Sequence, residues 1–244
     1  MTAHAFASPP PTRAAVPVLR ARGLTKTYGM THALAGVDLD LLAGQSVAVM
    51  GASGSGKTTL LHCLAGIVRP SSGSVVLTTS QGSVEVSALP DSQRSRLRRE
   101  RLGFVFQEGL LIPELTAVEN VALALMLRGV PRPAAEHHAG LWLQHLGLAG
   151  MEDRRIGQLS GGQAQRVAIA RAQVTGAEVV FADEPTGALD HATSREVMHA
   201  LLQATVGGGR TVVVVTHDDA VAAQCQRVVR LRDGRVVADS LEQA

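Results

Sequence analysis

"SVAVMGASGSGKTTLLHCLAGIV", residues 46–68, passes from a β-branched run through a glycine-rich turn into helical spacing. Within it, "GASGSGKT" fits G-x-x-x-x-G-K-[ST] at Gly51, Gly56, Lys57 and Thr58, between a strand and a helix as that loop requires. Glycines let the backbone close around an anion, so that several N–H groups and a helix start point at one phosphate chain. Lys57 adds a compact positive charge and is notable in a chain whose other lysine is Lys26. Thr58 offers a hydroxyl to Mg2+. The phosphate-binding set is Gly51, Ser53, Gly54, Ser55, Gly56, Lys57, Thr58 and Thr59. The structural alternative, a glycine turn that binds nothing, leaves the flanking strand and helix unexplained.

The rest of the chain supplies a frame for that loop. Its 244 residues suit one large α/β domain, and 45% hydrophobic with 18% charged residues describes a globular protein. A net charge of +2 gives no basis for a nucleic-acid or anionic-membrane partner. Cys63 and Cys225 share no metal-like spacing, which reads as a reduced cytosolic setting. No apolar run reaches the ~20 residues of a membrane helix, and the start lacks the plan of a secretory signal. Residues 1–17, rich in proline and alanine, read as a flexible extension before a domain over 18–244.

Strand-like segments follow from Val18 to the loop, and "GSVVLTTSQGSVEVS" reads as a hairpin turned near Gln81–Gly82. "LPDSQRSRLRRERL" reads as a short helix feeding the strand "GFVF". Its arginine cluster at 94–101, interleaved with glutamate and serine, reads as a solvated helix face rather than a nucleic-acid site. Residues of about 108–175 are almost entirely helical, with a capping-type Thr116 before "AVENVALALMLRG". His137, His138 and His145 lack a metal-ligand pattern and read as helix-surface residues. Alternation then returns: "AEVVFA", "ATSREVMHALLQAT", "TVVVVT", "DAVAAQC" and a hairpin across Asp233–Gly234. Strands separated by helices predict a mostly parallel sheet, with the helical stretch inserted into it.

"VVFADE" delivers Asp183 and Glu184 to the carboxyl edge of that sheet. Asp183 is the expected Mg2+ partner, through water, and Glu184 the group that polarises an attacking water. Nucleotide hydrolysis follows, but a kinase or a GTPase meets the same tests. The string Leu159-Ser160-Gly161-Gly162-Gln163 separates them. Ser160 is a natural N-cap, and two glycines open a second helix start to an anion.

With that string, ahead of "AQRVAIARA" and the "VVFADE" strand, the sequence resembles the ATP-binding-cassette family from about Val18 to about Asp239. The resemblance implies an α/β P-loop NTPase: a mostly parallel core sheet, an antiparallel β subdomain and an inserted α-helical subdomain. It implies an Mg2+-dependent ATPase in which two copies sandwich ATP head to tail, so that Ser160, Gly161, Gly162 and Gln163 meet the nucleotide of the second copy. It also implies roles for single residues. Gln107 would meet the metal and the attacking water, His217 would orient the catalytic centre, and Tyr28 would stack on adenine. Asp190 in "GALD" would communicate across the dimer.

Several stretches, among them "LIPELTAVENVALALMLRGV" and "FADEPTGALD", resemble the macrolide-export, lipoprotein-release and cell-division branch of the family. Glu108 and Gly109 depart from the aromatic or histidine often found after the glutamine there, which bears on the surface meeting a membrane partner. This branch implies separately encoded transmembrane permease subunits, a groove near 107–115 that receives one of their cytoplasmic helices, and a place on the cytoplasmic side of the membrane. The alternatives are a non-transport mechanical complex acting on cell-wall or division enzymes, and a soluble repair or translation ATPase. The latter usually carries a long insertion or a second cassette, which this sequence lacks.

Overall fold

Strands that are apolar at every position must be covered on both faces, and the core strands of this protein are of that kind. A computed structural model of the chain describes residues 16–79 and 81–243. In it β3 (Ser46–Met50), β6 (Leu102–Phe106), β7 (Val179–Asp183), β8 (Thr211–Thr216), β9 (Arg227–Arg232) and β10 (Arg235–Asp239) form one sheet in the order β10-β9-β3-β8-β7-β6. All neighbouring pairs are parallel except β9 with β10. A second, antiparallel sheet takes the order β2-β1-β4-β5 from β1 (Pro17–Tyr28), β2 (Thr31–Leu42), β4 (Ser72–Thr79) and β5 (Gly82–Glu85). The first strand begins at Pro17, inside the stretch read as an extension; residues 1–15 of that stretch lie outside the described residues.

Side chains alternate across the core strands. Phe181, Val213 and Val215 join Leu60, Leu61 and Leu64 of α1 (Lys57–Leu64) and the inner face of the antiparallel sheet, including Leu19, Leu24 and Leu34. Their neighbours Val180, Ala182, Val212 and Val214 face the other way. There they meet α5 (Gly161–Gln173) and α6 (His191–Thr205), and α3 (Ala117–Met126) and α4 (Arg132–His145) continue the same core. Period-2 alternation on each strand thus serves two cores at once.

Most local expectations hold. Thr116 and Glu119 form a reciprocal capping box at the start of α3. α1 stops at Leu64, earlier than its apolar spacing predicts, because Gly66 turns left-handed at φ 64° and Ile67 N–H folds back to the His62 carbonyl.

The arginine cluster departs from its reading as a solvated face. On α2 (Asp91–Arg101), Arg96 pairs with Glu100 in solvent, but Arg94 is buried and Arg98 donates to the Gly66 carbonyl beyond α1. Part of the cluster packs against the phosphate-loop helix, where the Arg98 guanidinium complements the negative end of its dipole.

Candidate functional site

The parallel sheet aligns four adjacent strand ends. β3 runs into the phosphate loop, β8 into His217, β7 ends on Asp183 before Glu184, and β6 leads to Gln107. The register is tight: Met50 pairs with Thr216, Asp183 with Val215, and Phe106 with Asp183. Residues scattered over 51–217 of the sequence therefore share one edge, the carboxyl edge where α/β sheets hold ligands.

The loop is shaped by what surrounds it. A side chain at Gly51 would stand 2.3 Å from the Leu231 carbonyl and 2.5 Å from Ser55 Oγ, and one at Gly56, left-handed at φ 99°, would meet the Ala33 carbonyl at 2.3 Å. Only glycine fits either position. Lys57 Nζ donates to the carbonyls of Gly51 and Ala52 at 2.8 and 3.0 Å, so its charge is held within the loop. Ser55 Oγ is buried with no partner. A buried hydroxyl without a partner, two tight glycine positions and an ammonium inside the curl fit a phosphate chain.

Thr58 Oγ1 donates to Asp183 Oδ1 at 3.2 Å, which sets two hard oxygens side by side. Such a pair suits Mg2+. Burial pushes the Asp183 carboxyl above the ordinary aspartate range, against the opposing pull of Thr58 and of the His62 and Lys57 charges, while Glu184 adds to the upward push.

Glu184 has φ 46°, an uncommon conformation for this residue, held by its N–H to the Val215 carbonyl and by its own carbonyl accepting from Gly187 N. Strain of this kind marks positions where direction matters. Its Oε1 lies 3.0 Å from His217 Nδ1, a geometry that orients the carboxylate and offers an imidazole beside it. The Gln107 side chain lies against Gly187, where an added Cβ would press its amide at 3.1 Å. Gln107, Asp183, Glu184 and His217 are thus brought to the same edge as the loop.

Tyr28 stands in the other sheet, half exposed, with the Lys26 ammonium 5.0 Å from its ring centre. The β1–β2 hairpin it belongs to reaches the loop through Ala33. Ser160 caps α5 in a reciprocal box: Ser160 Oγ accepts from Gln163 N–H at 3.3 Å, and Gln163 Oε1 accepts from Ser160 N–H at 2.9 Å. Added side chains at Gly161 and Gly162 would meet Leu189 at 3.0 Å and Thr193 at 2.4 Å. Among the described residues, no hydrogen bond joins 160–163 to 51–59. Asp190 caps α6 through Ala192 N–H and Thr193 N–H.

Sequence reading missed two groups. Ala33, Leu231 and Gly234 wall the loop, and Gly234 N–H donates to the Ser55 carbonyl. Gln165 Nε2 donates to the Phe106 carbonyl at 2.9 Å, and Arg171 donates to the Gly109 and Leu110 carbonyls at 2.7 Å. These two α5 side chains tie the Ser160 helix to the segment that carries Gln107. Nothing in their spacing marks a shared role, and only the packing shows their target.

A family model described as ABC transporter matches residues 34–187. The macrolide export ATP-binding/permease protein MacB of Nitrosomonas europaea is 46% identical over 230 residues, covering 92% of this chain and 34% of that protein. The pyoverdine export ATP-binding/permease protein PvdT of Pseudomonas aeruginosa is 44% identical, covering 92% of this chain and 34% of that protein. The chain thus spans about a third of the length of the curated relatives it matches. Among solved structures, the dimeric post-hydrolysis state of the ATP-binding cassette MJ0796 bound to ADP and Pi superposes with TM-score 0.81 at 38% identity, covering 91% of this chain and 97% of that one. By its phosphate loop, its two-sheet plan and these matches, the chain belongs to the ABC transporter family, whose ATP-binding cassette it carries.

Proposed function

We propose that this cassette hydrolyses ATP to ADP and phosphate with Mg2+, between two head-to-tail copies, and drives transmembrane permease subunits on the cytoplasmic side of a membrane. The observation that carries this reading is the shared strand edge: phosphate loop, Asp183, Glu184–His217 and Gln107 side by side, with the Ser160 helix start making no hydrogen bond to its own loop. Ser160, Gly161, Gly162 and Gln163 then serve the nucleotide of the second copy. The MJ0796 cassette, described as dimeric and bound to ADP and Pi, supports the arrangement.

In this reading the loop from Gly51 to Thr59 wraps the phosphates, and Lys57 leaves its loop carbonyls for phosphate oxygens. Thr58 and Gln107, with Asp183 through water, would hold Mg2+, which would neutralise phosphate charge when bound. Glu184, kept in place by its backbone and by His217, takes a proton from the attacking water. Tyr28 stacks on the base. An apolar groove of about 430 Å3, floored by Phe104 and Phe106 and flanked by Leu110, Leu127 and Arg171, supports docking of a permease segment beside Gln107.

Glu184→Gln tests the core of the proposal. It should keep ATP binding, lower turnover by roughly 10^2-fold or more, and shift the protein to a dimer in size-exclusion chromatography with ATP. Turnover at the parental rate would remove Glu184 as the base.

A further inference from the structure

Away from the strand edge, α4, α5 and α6 enclose a cleft of about 550 Å3. Its lining includes His145 and Leu146 at the end of α4, Arg166 on α5, and Arg195, Glu196 and His199 on α6. Two guanidiniums face one carboxylate, so the cleft carries a formal charge of +1 before either imidazole takes a proton. The cations are also uncommitted. Arg166 spends only its Nε, at 3.4 Å from the Gly162 carbonyl, and its other end reaches toward Gly147. Among the described residues, Arg195, His145 and His199 make no side-chain hydrogen bond or ion pair.

Guanidinium groups present planar forks of N–H donors that match phosphate oxygens, and imidazoles add single donors at the rim. His145, Arg195 and His199 are exposed and Arg166 half-buried, so donors from three helices line one open cleft, with buried Leu146 as part of its wall. We propose that this cleft binds the phosphate groups of a small soluble anion, at a site separate from the phosphate loop. Arg166 touches Gly162 of the proposed nucleotide site, but Arg195 and Glu196 make no hydrogen bond to it among the described residues, so variants at those two positions test the cleft apart.

Equilibrium dialysis of the full chain with radiolabelled pyrophosphate, with excess ADP filling the phosphate loop, should find one pyrophosphate per chain. Arg195→Ala, at an exposed position, should weaken binding about tenfold or more, and Glu196→Gln should tighten it about threefold. Trp142, the single tryptophan, lies 5.6 Å from the His145 ring and gives an independent fluorescence signal. Lys57→Ala, assayed without ADP, should retain that signal while losing ADP binding, so failure of one site is visible without the other. Absence of bound pyrophosphate, binding equally reduced by sodium chloride at matched ionic strength, or equal affinity in Arg195→Ala would overturn the proposal. So would Arg195-dependent flotation with phosphatidylglycerol vesicles in the absence of pyrophosphate binding, which would assign the cleft to a lipid headgroup.

Discussion

Asp183 and Glu184 are consecutive carboxylates with different surroundings. Asp183 sits at the end of a buried strand, and burial holds its carboxyl above the ordinary range. The folded chain therefore binds that proton more tightly than the unfolded chain does. The sign follows: Asp183 disfavours folding once the pH exceeds its raised value, and this penalty is absent below the unfolded value of about 3.9. Asp183→Asn keeps an acceptor for Thr58 and removes the charge. In the ligand-free protein it should raise the urea midpoint at pH 7, with the advantage narrowing as pH falls through the raised value. Equal midpoints at both pH values would contradict this account. The same change should weaken Mg2+-dependent binding by roughly 10–100-fold, as loss of a metal's supporting carboxylate does. At this scale the sequence was highly legible, because loop and carboxylates are local motifs. Ser55 Oγ was placed in the loop by the motif, but its buried, unpartnered state depends on neighbours far away in the chain.

Among the elements, the junction of α5 and α6 is the most exacting. Gly162 lies in the first turn of α5, where a methyl group would stand 2.4 Å from Thr193 Cγ2 on α6. Alanine there gains up to ~1 kcal/mol of helix propensity, whereas overpacking costs about 1–3 kcal/mol. The clash should win, and Gly162→Ala should lower unfolding free energy by about 1 kcal/mol. Adding Thr193→Ser removes the offending methyl but keeps the hydroxyl that bonds Asp190, so the double variant should return to the parental value or exceed it. Urea unfolding of the four proteins measures this, and equal destabilisation of single and double variants would refute it. The sequence reading assigned both glycines to anion approach. The structure adds that they also let two helices come close, a requirement set by an element thirty residues onward.

For the molecule as a whole, that no hydrogen bond joins the Ser160 helix start to its own phosphate loop among the described residues has a mechanical consequence in the proposed reading. In the proposed arrangement each copy offers half of each of two composite sites, so defects of different halves should complement. Ser160→Arg and Lys57→Ala should each lose ATPase activity alone. Mixed dimers of the two retain one intact site and should recover up to about half the parental rate per dimer, if the two sites turn over independently. No recovery in verified mixed dimers would argue against a shared site. Gln165 and Arg171 add a path within each copy, tying the Ser160 helix to the Gln107 segment and to the groove beside it. Under the proposed function these hydrogen bonds would couple closure around a nucleotide to movement at the groove.

By itself the sequence determined the strand–loop–helix that grips phosphate, the acidic strand end, the capped second helix start and the alternation of strands with helices. Each of these is written in residues a few positions apart, and short-range sterics and hydrogen bonding suffice to form them. Tertiary structure alone decided strand order, the burial of Arg94 within a cluster that reads as solvated, and the walls that Ala33, Leu231 and Gly234 build around the loop. Those depend on which distant surfaces meet when two apolar faces of one sheet are covered at once, and no local pattern carries that information.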